Sequence, residues 1–176
     1  MASSGGEKNV CLTMHQPWAS LLVAGVKRVE GRSWNTAHRG RLWIHAAAKE
    51  PTEAEVRSVE DRYRAIYSAE GIADVTMPAS YPTSCLLGCV EVVGCMSQME
   101  FQEAKDIPAG PKLESESDFV FLCRDPRKMV LPFSLSGQHK LWKLDKRTRQ
   151  AAEAGLGPAT GNAGPSVAFT AKLNRN

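Results

Sequence analysis

Residues 25–41 read GVKRVEGRSWNTAHRGR. Lys27, Arg28, Arg32, Arg39 and Arg41 crowd around a single carboxylate, Glu30. Ammonium and guanidinium groups at this density can neutralise phosphates, which gives affinity for an anionic polymer without reading its sequence. Glu30 cannot take a phosphate; it orients Lys27 or Arg32, or accepts from a base amino group. Trp18, Trp34 and His15 offer flat faces, each worth about 1–3 kcal/mol per stacked base where exposed. Gln16 and His38 are grouped with these contacts, and Lys49, Lys140 and Lys143 extend the cationic track. A solvated hairpin is the alternative. In it Lys27 and Arg32 merely pair with Glu30, His38 and Arg39 are loop residues, and His15 closes the turn before a helix. Exposed ion pairs contribute roughly 0–1 kcal/mol, so stability gives little reason to build one.

Charge distribution carries more than net charge, which is only +3. Residues 124–149 hold eight cations against Asp125 and Asp145, while residues 50–74 are acidic through Glu50, Glu53, Glu55, Glu60, Asp61, Glu70 and Asp74. Two basic stretches with an acidic one between them can fold to a single positive face, or to surfaces that never meet. The five cysteines include no pair with the two-residue gap of a zinc knuckle. They read as buried free thiols in a reducing compartment, and neither metal nor cofactor is expected. No apolar run approaches the ~20 residues of a membrane span, and the N-terminus lacks the apolar core of a secretory signal. A soluble intracellular protein without membrane contact is expected.

The elements that must position these groups follow from periodicity. VCLTM (10–14) alternates as a strand, and Pro17 suits the first turn of a helix carrying Leu21, Leu22 and Val26, with Gly25 near its end. VKRVEGRSW alternates loosely, and GRLWIHAA (40–47) is a strand. Thr52 and Glu55 form a capping box ahead of Val56, Val59, Tyr63, Ile66 and Tyr67, so residues 52–68 form an amphipathic helix. CLLGCVEVVGCM (85–96) is a long strand; Met99–Lys105 is a short helix. FVFLC (119–123), MVLPFSL (129–135) and HKLWKLD (139–145) are three further strands before a final helix, DKRTRQAAEAG. Trp43 and Trp142 fall in alternating strands and are assigned to the core. Residues 10–154 make one domain, between a flexible segment 1–9 and a flexible tail 155–176 rich in Gly, Pro, Ala and Asn. Short strands mixed irregularly with helices predict an α+β fold, a small mixed β-barrel flanked by helices.

These stretches, in this order, resemble the ASCH domain family of the PUA-like superfamily. The family signature G-x-K-x-x-E-x-R falls on Gly25, Lys27, Glu30 and Arg32, and MHQPWAS, HRGRLWI, the CLLGCVEV and FVF strands and LWKLD extend the match over most of residues 10–150. The resemblance implies a PUA-like barrel with a cleft at the signature segment and nucleic acid, DNA or RNA, as ligand. It further implies a transcription coactivator of nucleus and cytoplasm, in an assembly that contains a helicase, with the isolated domain monomeric. Bacterial members of the family hydrolyse acetylcytidine with a Lys, a Thr three residues later and a distant Glu. Lys27 matches the first and Glu91 the last, but Glu30 stands where the Thr would be. A carboxylate there keeps Lys27 charged, and an ammonium is neither nucleophile nor base. Binding without catalysis is therefore expected over hydrolysis. A third reading, a protein-interaction module, would use the acidic helix 52–68.

Overall fold

A computed structural model describes residues 6–158. β1 (Val10–Met14) leads through Pro17, which caps the short helix α1 (Trp18–Val23), to β2 (Val29–Arg32) and β3 (Gly40–Ala46). Next come α2 (Glu53–Ala69), β4 (Cys85–Ser97), α3 (Gln98–Glu103), α4 (Ala109–Lys112), β5 (Phe119–Ser134), β6 (Leu141–Lys143) and α5 (Lys146–Ala154). The sheet order is β2-β5-β4-β3-β1-β6. β1 and β3 run parallel and every other pair is antiparallel. β2 and β6 remain as edges, so the mixed sheet curls into a half-barrel with flanking helices, an opened form of the expected barrel. Register shifts along the β4–β5 pair, at Leu86/Gly88, Cys89/Glu91 and Val92/Gly94, supply local twist that helps the long strands coil.

Two expectations change. FVFLC and MVLPFSL are not separate strands but the two halves of β5, joined through Arg124–Lys128. The polar middle keeps its ladder with β4 without an apolar face, so apolar periodicity could not see it. Only Val29–Arg32 of the VKRVEGRSW stretch pairs as a strand. The final tail also starts in contact with the sheet: Gly155 accepts from the Val130 N–H at 2.9 Å and Gly157 donates to Lys128 at 2.8 Å. Residues 159–176 lie outside the described residues, as do residues 1–5.

The core forms where the apolar faces meet. Leu12, Leu42, Ile44, Val90 and Phe121 pack under α1, while Trp43 and Trp142 are buried with Met129 and Ala152 of α5. α2 begins at the expected capping box: Thr52 Oγ1 accepts from the Glu55 N–H at 3.1 Å, and Glu55 accepts from the Thr52 N–H at 2.9 Å. Its Tyr63 and Tyr67 pack on Leu21 and Val26, and the Tyr67 hydroxyl donates to the Val26 carbonyl at 2.7 Å. That bond fixes the chain immediately before Lys27. All five cysteines are free thiols. Among the described residues no helix is long and apolar enough to cross a membrane.

Candidate functional site

β2 lies on the sheet edge and pairs with β5 through Val29↔Leu122 and Gly31↔Val120. Lys27, just ahead of it, and Glu30 are only 5% and 7% exposed. The Lys27 Nζ sits 3.2 Å from Glu30 Oε2, Arg32 Nε donates to Glu30 Oε1 at 3.0 Å, and an Arg32 Nη2–H reaches the Thr13 carbonyl at 3.3 Å. These three side chains floor a depression of about 450 Å³ that Trp18, Arg62, Ser115 and Ser117 help to line. Gly31 makes this packing possible, since a Cβ there would collide with the hydroxyls of Ser115 and Ser117. Burial works against the Lys27 ammonium, but Tyr63, Glu30 and Glu114 outweigh it and hold the group above the usual lysine range. Burial also raises the Tyr63 phenol, which is uncharged near neutrality, so the two carboxylates are the partners that matter there.

His15 and Arg32 also line a second, wider depression of about 930 Å³, bounded by Thr13, His45 and the segment Ser134–Lys140. The two depressions adjoin at His15 and Arg32 as lobes of the candidate cleft, and their charges differ. Lys27, Arg32 and Arg62 face Glu30, Glu114 and Glu116 in the deep lobe, which balance. The wide lobe has Arg32, Lys140, His15, His45 and His139 and no carboxylate among its described lining residues.

Six of the expected residues therefore share the cleft: His15, Trp18, Lys27, Glu30, Arg32 and Lys140. The others lie elsewhere. Arg28 turns into the protein: its backbone N–H and Nε donate to Glu114 at 2.8 and 2.6 Å, its terminal nitrogens donate to Glu70 at 3.0 and 2.8 Å, and it stacks 4.4 Å over Tyr67. Gln16 is buried and closes the turn before α1 through Ser20 and the Pro82 carbonyl, the task the sequence offered to His15. Trp34 packs edge-on against Phe121, with ring centres 5.3 Å apart. His38 Nε2 bonds the Arg41 carbonyl, and Arg39 donates to the carbonyls of Thr36 and His38, so both brace their own loop. Lys49 is exposed outside both lobes, and Lys143 pairs with Glu7 at 2.8 Å. Glu91 is paired with Arg41 and lines neither lobe, so the hydrolase reading lacks its second group beside Lys27.

Arg62, Ser115, Ser117 and the Ser134–His139 wall escaped sequence reasoning. They come from α2 and from the segments flanking β5, remote in sequence from β2. The one available signal was the polar ESES run at 114–117 opposite an unexplained Gly31.

Residues 12–133 match the model of the ASCH domain. The chain is 52% identical over 147 residues, 83% of its length, to activating signal cointegrator 1 of Mus musculus, and 51% identical over the same span to that of Homo sapiens. It spans about a quarter of the length of these relatives, 24% of each. Among solved structures, a tyrosine-to-phenylalanine mutant of ZmASCH from Zymomonas mobilis superposes with a TM-score of 0.50, covering 86% of this chain and all of that one. At 15% identity this is a likeness of fold.

Proposed function

The chain belongs to the ASCH domain family, and from that premise we propose that it binds nucleic acid in the two-lobed cleft, without chemistry, as one domain of a transcription coactivator. The observation that carries this reading is the Lys27 ammonium. It is 5% exposed yet lines a concavity, and its pair with Glu30 uses one of three N–H bonds.

Charge divides the work between the lobes. The wide lobe, cationic and without a lining carboxylate, suits the phosphodiester backbone. The deep lobe, polar but balanced, suits an uncharged group such as a base, with Trp18 at its rim, 38% exposed, to stack on it. This favours an unpaired segment or end, DNA or RNA, read with little sequence preference. The relatives' description as a cointegrator supports partners within a coactivator assembly, and a nuclear site of action with it.

Replacing Lys27 and Arg32 together by Ala tests the assignment. Fluorescence anisotropy with short labelled oligonucleotides should show binding that falls linearly in log salt for the native protein. The double variant should bind every sequence more weakly and lose about one to two from the salt slope. Native-like binding by this variant would overturn the reading.

A further inference from the structure

The chain has four histidines, and the fold gives them different tasks. His38 braces its own loop through the Arg41 carbonyl and lines neither depression. His45 is 2% exposed and has both ring nitrogens engaged, Nε2 with the Leu135 carbonyl and Nδ1 with Thr13 Oγ1 at 3.2 Å. His15 and His139 differ from both. They are exposed, they line the wide lobe, and among the described residues neither ring has a hydrogen-bond or ion-pair partner.

His139 stands on an anchored wall. Residues 135–140 belong to neither β5 nor β6, but the Leu135 N–H donates to the Ser84 carbonyl at 3.1 Å and Gly137 rests directly on the sheet. A Cβ at Gly137 would stand 2.6 Å from Thr13 Oγ1 and 2.7 Å from the His45 ring. Lys140 turns through the left-handed region, φ 53°, and Leu141 re-enters the sheet opposite Leu12. A segment held at both ends has little freedom left to lose when a ligand arrives, so the groups it carries bind at a lower entropic cost. The charges around the two rings are mostly positive. The wide lobe adds Arg32, Lys140 and His45 and no carboxylate among its described lining residues. His15 also borders the deep lobe, with Lys27, Arg62, Glu30, Glu114 and Glu116. There Glu30 is held by Lys27 and Arg32 and Glu114 by Arg28, and Glu116 lines only the deep lobe.

We infer that His15 and His139 are further backbone-binding residues of the wide lobe, acting as imidazolium donors to phosphodiester oxygens, so that the domain takes up protons as it binds nucleic acid. This rests on the reading of the cleft as a nucleic-acid site. Imidazole is the side chain whose charge ordinarily changes between about pH 5 and 8. A phosphate beside the ring favours its charged form, and linkage then requires the phosphate to bind more tightly where the ring is already charged. Affinity therefore rises as pH falls. The salt dependence steepens with it, because more phosphates are neutralised in the complex. His45 takes no part: its nitrogens are engaged within the protein, and burial holds its imidazole below the ordinary range.

Fluorescence anisotropy with a labelled oligothymidylate of about ten nucleotides, whose bases gain no proton near neutrality, reads this at about pH 8 and about pH 6. The native protein should bind about fivefold or more tightly at the lower pH, as follows from midpoints raised by about one unit in the complex. Its log–log salt slope should steepen by about one. Calorimetry near neutrality, in buffers of unlike ionisation enthalpy, should record proton uptake on binding. With His15→Gln and His139→Gln together, the affinity ratio between the two pH values should fall to about one and the uptake should vanish. His38→Gln should retain both. Acid unfolding would weaken binding, the opposite sign. A native ratio near one, or a gain that survives the double substitution, would refute the assignment of the two histidines and leave the cleft reading standing. Absence of binding by the native protein at either pH would overturn the cleft reading and this inference with it.

Discussion

Lys27 and Arg28 are adjacent cations with opposite fates. Lys27 looks into the cleft, while Arg28 looks inward and fastens Glu70 near the end of α2 and Glu114 after α4 to the start of β2. Burial disfavours the Arg28 charge, but the bonds to Glu70 and the field of Glu114 outweigh it, so the guanidinium stays ionised. Removing it would strand Glu114, whose side chain has no exposed surface. Arg28→Ala should therefore destabilise the fold by about 3–5 kcal/mol in urea unfolding, far more than loss of a surface ion pair would. Arg28→Lys should recover only part, because an ammonium cannot serve two carboxylates as a fork. The cluster of charge was plain in the sequence; the direction of each side chain was not, since a loosely alternating run with a glycine has no clear face.

At the level of elements, β2 works because Gly31 lets the 115–117 segment close over it. Gly31→Ala forces Ser115 and Ser117 away from the strand, at a cost of about 1–3 kcal/mol as for other overpacked sites. Thermal unfolding should register the cost, and oligonucleotide affinity should fall with it because both serines line the deep lobe. α2 was legible to the residue at its start, because a capping box is local chemistry and its apolar face repeats at helical spacing. β5 was legible only as two fragments. Its polar centre, with Asp125 at φ 50° and Pro126, has the look of a turn, and only pairing with β4 reveals continuous strand.

The whole molecule should show a stability plateau bounded by its buried ionisable groups. His45 has a folded pKa below the ordinary 6.5, so its contribution is complete above that value and is lost as pH falls below it. Lys27 lies above its ordinary 10.5 and Tyr63 above 10.0; both contributions are present below those values and fade as pH rises beyond them. Urea midpoints measured across the pH range should therefore be flat near neutrality and fall on either side, and His45→Gln should flatten the acid limb.

Composition, caps and strand patterns, all set by neighbours within a few residues, determined the α+β class, most of the elements and the cationic segment at the centre of the site. The tertiary structure decided which charges face one another. Chain closure brings Arg62, Ser115, Ser117 and the 134–140 wall to β2, while Arg28 and Gln16 turn into the interior and Trp34 packs, partly buried, against the core. Direction and burial are properties of the folded surface, and nothing local to a residue encodes them.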